Sequence, residues 1–138
     1  MAGPLPKKFG IKEGMRAIFI HAPSNVIEAM ESVALDVASK LTGHFDYIHF
    51  FTKSQSELED AFSRLKDHLQ PDGMVWISWP KNKQLGTDLT MAKIIKIGYD
   101  LGLVESKCVS VDSTWSGIKF TFPREGKVYN NSYGQLKV

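Results

Sequence analysis

The sequence predicts an α/β domain with a mostly parallel sheet of about five strands, one antiparallel strand near the C-terminus, and three main helices. Apolar strand-like runs alternate with amphipathic helical runs along most of the chain. Residues 57–81 hold an amphipathic helix, a Pro-Asp-Gly turn and an apolar strand in succession, which is half of a βαβ unit. With 138 residues, 43% of them hydrophobic, the chain suits one core. We expect an irregular lead-in (1–15), a domain (16–123) and a polar tail (124–138).

The first predicted strand covers residues 16–20, a continuous apolar run typical of a strand buried on both faces. Ala22-Pro23 breaks this run, and Ser24 or Asn25 is a suitable cap for a helix. An apolar stripe from Val26 onward predicts that the helix continues to about Leu41, before Gly43.

The next unit begins with a strand at residues 47–51. A capping-box pattern at residues 54–57 then starts a second helix. Pro71-Asp72-Gly73 is expected to be a turn in which proline presets φ and glycine accepts positive φ. An apolar strand at residues 74–79 follows that turn.

The last third of the chain starts with a polar loop, after which Thr87 or Asp88 is expected to cap a third helix ending near Leu101. Gly102 predicts a left-handed helix end. A fourth strand near residues 107–111 is expected to be parallel. After a tight connection, the alternating pattern at residues 118–122 predicts a half-exposed antiparallel strand.

This alternation predicts a Rossmann-like sheet with right-handed crossovers in two or three layers. If the chain steps in one direction, all three helices lie on one face. The first three strands are apolar on both sides, so the second face also needs a cover. The termini are the favoured cover, and a homodimer is the alternative.

Composition excludes several classes of function. A net charge of +2 gives no strong nucleic-acid or membrane-surface signal. The apolar runs are too short to span a bilayer, and the N-terminus has no secretory pattern. The single cysteine, Cys108, favours a reducing cytoplasm and is expected to be a buried structural thiol. The four histidines lie on different elements, so no metal site is expected. His49, within a strand, is expected to be a buried or interfacial ring.

Residues 46–51, a helix, and then Leu69-Gln70-Pro71-Asp72-Gly73 before an apolar strand resemble the late half of class I S-adenosylmethionine methyltransferases. That resemblance implies a cofactor loop after the first strand. Here the loop is His21-Ala22-Pro23-Ser24, without the family's glycines, and the acidic residue that grips the ribose has no counterpart. The chain is also shorter by about two strands, so we expect no bound cofactor.

A second resemblance spans nearly the whole chain. KKFGIKEGMR at residues 7–16, TDLT at 87–90 and VDSTWSGIKF at 111–120 are similar to a family of short bacterial proteins of unknown function. That resemblance implies a Rossmann-like fold and carries no activity with it.

Ligands of open parallel sheets bind outside the carboxyl ends of the strands. Helix N-termini and lysines at that edge predict a small anionic ligand beside tryptophan walls. His21 is the best single candidate for acid–base chemistry, although a loop histidine without a catalytic role is the favoured interpretation. Asp112 is expected to lie several strands away from it, and packing is favoured over ligand stacking for Trp115. The candidate ligand residues are His21, Ser24, Lys53, Trp79, Lys81, Asp112 and Trp115.

The leading functional hypothesis is a non-catalytic module that binds a small ligand or a protein. No catalytic residue is assigned. One alternative is a methyltransferase-like transferase with a degenerate S-adenosylmethionine site. The other is a scaffold that acts as a homodimer.

Overall fold

A computed structural model of the chain describes residues 5–123, 130–131 and 134–135. The strands are β1 (Arg16–Ile20), β2 (Asp36–Val37), β3 (Phe45–Phe51), β4 (Leu69–Pro80), β5 (Val104–Ser110) and β6 (Trp115–Thr121), with a separate hairpin of β7 (Asn130–Asn131) and β8 (Gly134–Gln135). The helices are α1 (Leu5–Phe9), α2 (Ser24–Met30), α3 (Gln55–Asp67) and α4 (Met91–Asp100), and a 3₁₀ segment covers Lys81–Gly86. The predicted tail, 124–138, lies outside the described residues except for the hairpin.

The main sheet has six strands in the order β2-β1-β3-β4-β6-β5. Strands β1 to β4 pair in parallel. Strand β6 runs antiparallel to both of its neighbours, β4 and β5. Strand β5 therefore points the same way as β1 to β4. The prediction of a mostly parallel sheet with one antiparallel strand is confirmed.

The helices lie on both faces of this sheet, because the chain does not step in one direction, which was the condition for a single helical face. The chain steps from β1 to the edge strand β2 and then returns past β1 to β3. Right-handed crossovers in opposite directions put their helices on opposite faces. Helices α3 and α4 cover one face, while α1 and α2 cover the other.

The second face carries its own apolar cluster beneath α1 and α2. Phe9 of α1, Val26 of α2, and Tyr47 and Trp76 of the sheet are all fully buried there. The Trp76 indole N–H also donates to the Phe9 carbonyl oxygen at 3.1 Å. The N-terminal lead-in is therefore part of the cover, as the sequence predicts.

Helix α2 is much shorter than the predicted helix because a turn follows it and residues 36–37 then pair with β1. The Ala34 carbonyl accepts from the Gly14 amide at 2.8 Å, and the Ala38 amide donates to the Ala17 carbonyl at 2.9 Å. These bonds make β2 the partner of β1. Val33 and Val37 fit the helical stripe as well as they fit the observed structure. Pairing with β1 therefore overrides the helical pattern.

Pro71-Asp72-Gly73 forms a bulge inside β4 and not a separate turn. The register passes from Phe45 opposite Leu69 to Tyr47 opposite Met74. The prediction of a positive φ at Gly73 is wrong. The requirement for glycine is steric, because a Cβ atom there would lie 2.9 Å from the Phe45 carbonyl oxygen.

The sequence predicts the N-terminal cap of α3 and the C-terminal end of α4 correctly, but not the N-terminal cap of α4. The Ser54 hydroxyl accepts from the Glu57 amide at 3.2 Å, which confirms the cap of α3. The cap of α4 is Thr90, which accepts from Lys93, and the assignment to Thr87 or Asp88 is wrong. At the other end of α4, Gly102 has φ of 80°, which confirms the left-handed helix end.

Cys108 is exposed on the edge strand β5, so the expectation of a buried thiol is wrong. Within residues 5–123 and the hairpin, no group of His, Cys, Asp and Glu is arranged to hold a metal ion. None of the helices in this part of the chain is both long and apolar enough to cross a membrane.

Candidate functional site

The carboxyl ends of the strands carry the predicted site residues. The predicted site residues fall into three places, each with its own partners. These are a groove at His21, a depression at Trp79 and a polar cluster at Asp112.

The His21 groove lies between the ends of β1 and β3 and one side of α3. Its volume is about 660 Å³, within the range of small-molecule sites. Apolar side chains come from both strands and from the loop after β2, and charged side chains come from α3. Its main lining residues are Ile20, His21, Leu41, Phe50, Glu57, Asp60 and Arg64.

His21 has an unusual backbone for its residue type. Its φ is +58°, in the left-handed region that favours glycine. The imidazole Nδ1 lies 3.7 Å from the Glu57 carboxylate, and the side chains are 64% and 46% exposed. Solvent therefore screens this contact, which contributes little to stability. The ring also packs 5.8 Å from the ring of Phe50, so it stands at the mouth of the groove.

The N-terminus of α3, beside the groove, already holds a carboxylate. Asp88 accepts a hydrogen bond from the Gln55 amide at 2.8 Å. The Thr87 hydroxyl donates to the Lys53 carbonyl at 2.7 Å. These two bonds join the loop before α4 to the start of α3. Lys53 takes part through its backbone, while its side chain is exposed, so its predicted anion contact stays a prediction.

Trp79 and Lys81 border a separate depression of about 480 Å³ between β4 and α4. Leu89 and Met91 form its other apolar wall. The adjoining loop is strained, because Asn82, Lys83 and Leu85 have φ of 50°, 60° and 55°.

Asp112 organises the turn between β5 and β6. One carboxylate oxygen accepts from the Thr114 and Trp115 amides at 2.8 and 2.9 Å. The other accepts from the Asn25 side chain, at the start of α2, at 3.2 Å. Burial raises the pKa of Asp112, but these hydrogen bonds and nearby Lys81 outweigh it and leave the pKa below its usual value. Asp112 does not pair with His21, in line with the expected separation of their strands.

The remaining predicted residues are placed by packing or by helix geometry. Trp115 meets Phe51 edge-on, with ring centroids 5.3 Å apart, which agrees with the favoured packing interpretation. Ser24 is exposed and begins α2, but the capping position is Pro23, which makes no side-chain hydrogen bond. Lys81 donates through its ammonium group to the Ser110 hydroxyl.

Two groups of residues escaped the sequence reasoning. Glu57, Asp60 and Arg64 recur at helical spacing, so a search for a charged helix face beside the strand ends could have found them. The second group is a buried chain in which His49 contacts the Ser78 hydroxyl at 2.7 Å and the Tyr47 hydroxyl at 2.8 Å. His49 is the buried ring that the sequence predicts. Burial lowers the pKa of His49 to about 3.

No protein-family model matches this sequence, and no curated protein matches it. The similarity to short bacterial proteins of unknown function therefore stays a prediction.

Solved structures do match the fold. The ribosomal protein L11 methylase of Lactobacillus delbrueckii has a TM-score of 0.63 at 14% identity, over 87% of this chain and 76% of that one. The magnesium protoporphyrin IX methyltransferase of Synechocystis, solved with bound SAM, has a TM-score of 0.59 at 11% identity, over 81% and 71%. The precorrin-6y C5,15-methyltransferase of Geobacter metallireducens has 0.59 at 13% identity, over 85% and 84%. At these identities the similarity shows a Rossmann-like, methyltransferase-like fold.

Proposed function

We propose that this domain is methyltransferase-like and binds S-adenosylmethionine in the His21 groove. The observation that carries the proposal is the groove itself, a cavity of about 660 Å³. It opens at the carboxyl ends of β1 and β3, where ligands of parallel α/β sheets bind. The fold shared with methyltransferases supports the same assignment.

The residues of the groove fit the chemistry of that cofactor. Ile20, Leu41 and Phe50 offer an apolar surface suited to an adenine ring. Glu57 and Asp60 are acceptors suited to ribose hydroxyls, and their negative charge suits the cationic sulfonium. Both carboxylates come from α3, which compensates for the missing acidic residue after β2. The bound cofactor would supply an activated methyl group.

The loop after β1 has no glycine, yet its backbone does what a glycine usually does there. His21 adopts a left-handed φ of +58° at the end of β1. The left-handed backbone conformation is thus present although the residue is not glycine. The cost is an imidazole ring at the mouth of the groove, which Glu57 holds to one side.

That same ring favours a second candidate function. In methyltransferases a glycine at this position leaves the backbone uncovered. A histidine side chain at the same position suits a module that binds a small ligand without transferring a group. The two candidate functions predict different outcomes. A non-catalytic module would bind S-adenosylmethionine or its product without transferring the methyl group.

Calorimetric titration with S-adenosylmethionine and with S-adenosylhomocysteine tests the proposal. We expect binding of both, with the charged sulfonium form preferred. Glu57→Gln should weaken binding of S-adenosylmethionine about tenfold and that of the uncharged product less, because it removes a charge-assisted contact. Glu59→Gln is the matched control, since Glu59 is on the same helix and bonds Gln55 outside the groove.

If millimolar S-adenosylmethionine gives neither binding heat nor thermal stabilisation, the proposal is wrong. A ligand that binds the folded state must stabilise it by mass action. Binding without release of S-adenosylhomocysteine, in the presence of candidate methyl acceptors, would favour the non-catalytic module.

A further inference from the structure

The depression at Trp79, between β4 and α4, differs in charge from the His21 groove. Its lining includes the side chains of Lys81 and Lys83, and none of the described residues that line it is an aspartate or a glutamate. The His21 groove, by contrast, carries two carboxylates beside one guanidinium group. A concave surface with positive charges and no negative ones attracts anions.

Lys83 is the cation of this depression that is available to a ligand. Its side chain is exposed and, in the described part of the chain, its ammonium group forms no ion pair with a carboxylate. The Lys81 ammonium group instead donates to the Ser110 hydroxyl, and its charge also acts on Asp112. The positive charge of Lys81 is therefore partly compensated within the protein, whereas that of Lys83 is not.

The rest of the depression offers apolar surface. Trp79 and Leu89 line it and are almost fully buried, so they belong to the core as well as to the depression. Met91 also lines it and is 39% exposed, which is high for a large apolar side chain. Aromatic rings and thioether sulfur atoms both make favourable contacts with an aromatic ring. The apolar part of the depression therefore suits an aromatic ligand.

The loop that carries Lys83 is strained but held in place. The Gln84 side chain donates to the Ser113 carbonyl at 3.1 Å, and the Lys81 amide donates to the Thr114 carbonyl at 2.7 Å. These two bonds join the loop to the turn between β5 and β6. A strained backbone persists only where its surroundings fix it, so the left-handed conformation of Lys83 is maintained by these contacts. A ligand that binds an ordered loop loses less affinity to conformational entropy than one that must order a mobile loop.

We propose that the Trp79 depression binds a small aromatic carboxylate. The ring of the ligand packs against Trp79 and Met91, and its carboxylate faces the ammonium group of Lys83. The Ser116 hydroxyl, which is also in the lining, can donate to the same carboxylate. A neutral ring would leave the charge of Lys83 uncompensated, and a small anion would leave the apolar walls uncovered. The inference does not depend on what the His21 groove binds, because the two sites share no lining residue.

Titration of the full chain with phenylacetate, followed by NMR of the amide and indole N–H groups, tests the site. We expect a Kd of about 1–10 mM for a ligand of this size. The indole signal of Trp79 and the amide signals of residues 81–91 should shift. The indole signal of Trp76 should not, because that group is buried and donates to the Phe9 carbonyl. Phenylacetamide, a ring without the charge, and acetate, a charge without the ring, should each bind at least about threefold more weakly.

Two variants separate the charge from the apolar wall. Lys83→Gln should weaken the binding of phenylacetate about threefold and leave that of phenylacetamide unchanged, because only the carboxylate contacts the ammonium group. Met91→Ala should weaken the binding of both ligands. Lys96→Gln is the matched control, since Lys96 is an exposed lysine on α4 outside the depression, and it should change neither affinity.

Three results would overturn the proposal. The first is an unmoved Trp79 indole signal at phenylacetate concentrations well above the expected Kd. The second is equal binding of phenylacetate and phenylacetamide, or equal shifts with acetate alone, because the site would then not recognise an aromatic carboxylate. The third is an equal effect of Lys83→Gln and Lys96→Gln, which would assign the attraction to the net charge of the protein.

Discussion

At the scale of single residues, His21 combines a left-handed backbone with an exposed contact to the Glu57 carboxylate. The φ of +58° costs a non-glycine residue about 1–2 kcal/mol, whereas an exposed contact with a carboxylate contributes only a fraction of that. The residue therefore does not serve stability. The strained backbone instead places the imidazole ring at the mouth of the groove.

Replacing His21 with glycine should raise the free energy of unfolding by about 1 kcal/mol, because glycine adopts positive φ without strain. Chemical denaturation measures this change. His21→Ala is the control: it also removes the imidazole but keeps the strain, and should leave the stability nearly unchanged. If the glycine and alanine variants are equally stable, the backbone at residue 21 is not strained.

His49 makes stability depend on pH. Burial lowers the pKa of its ring from 6.5 to about 3. Because the folded-state pKa lies below that of the unfolded chain, the stabilisation by the neutral ring is complete above about pH 6.5. It is lost as the pH falls toward 3, by up to about 1.4 kcal/mol per pH unit.

Urea denaturation between pH 7 and about pH 5, above the usual carboxylate range, isolates this effect. The wild-type free energy of unfolding should fall across that interval, and His49→Gln should remove most of the slope. His44→Gln, at an exposed histidine, is the matched control and should keep it. A slope that survives in His49→Gln would assign the acid sensitivity to another group.

At the scale of elements, two side chains join the loop before α4 to the first turn of α3. Asp88 accepts from Gln55, and Thr87 donates to the Lys53 carbonyl. A carboxylate at a helix N-terminus satisfies a free amide and favours the helix dipole. The start of α3, which borders the His21 groove, is thus fixed by a residue from the next unit of the fold.

Asp88→Ala should destabilise the protein by about 1 kcal/mol and speed hydrogen exchange at the Gln55 amide. Asp88→Asn keeps an oxygen acceptor without the charge, so its loss should be smaller. Chemical denaturation and exchange measured by NMR check the two effects. Equal, negligible losses in both variants would show that Asp88 does not stabilise the start of α3.

The elements also show what sequence alone can predict. Strand β3 and helix α3 follow from local signals, an apolar run and the Ser54 cap, and both are found in the structure. The length of α2 could not be predicted, because residues 33–41 fit a helical stripe and the strand at residues 36–37 depends on pairing with β1. The His21 position follows from the rule about strand ends, but the bond between Asn25 and Asp112 joins residues 87 positions apart and has no local signal.

At the scale of the whole molecule, the sheet is closed on its second face partly by five N-terminal residues, Leu5–Phe9. The ring of Phe9 lies 4.4 Å from that of Trp76 and 5.1 Å from that of His49. Gly117 makes room for it, because a Cβ atom there would lie 3.0 Å from the ring. The Phe9 side chain thus covers the buried, hydrogen-bonded side chains of Tyr47, His49 and Ser78.

Phe9→Ala should lower the free energy of unfolding by about 3–5 kcal/mol, the usual cost of removing a buried aromatic ring. Chemical denaturation gives the value, and binding of a hydrophobic dye reports the opened face. Phe9→Leu keeps most of the apolar volume and should lose markedly less. A loss below about 1 kcal/mol for Phe9→Ala would mean that α1 does not seal the face.

The place of α1 in the chain has a consequence for how the protein folds. Phe9 receives its hydrogen bond from Trp76, 67 residues later, and Lys8 receives one from Lys107, 99 residues later. Helix α1 therefore has no binding surface until nearly the whole sheet exists. Contacts so distant in sequence form late and slow the final step of folding. We therefore expect α1 to dock last, onto a sheet that has already formed.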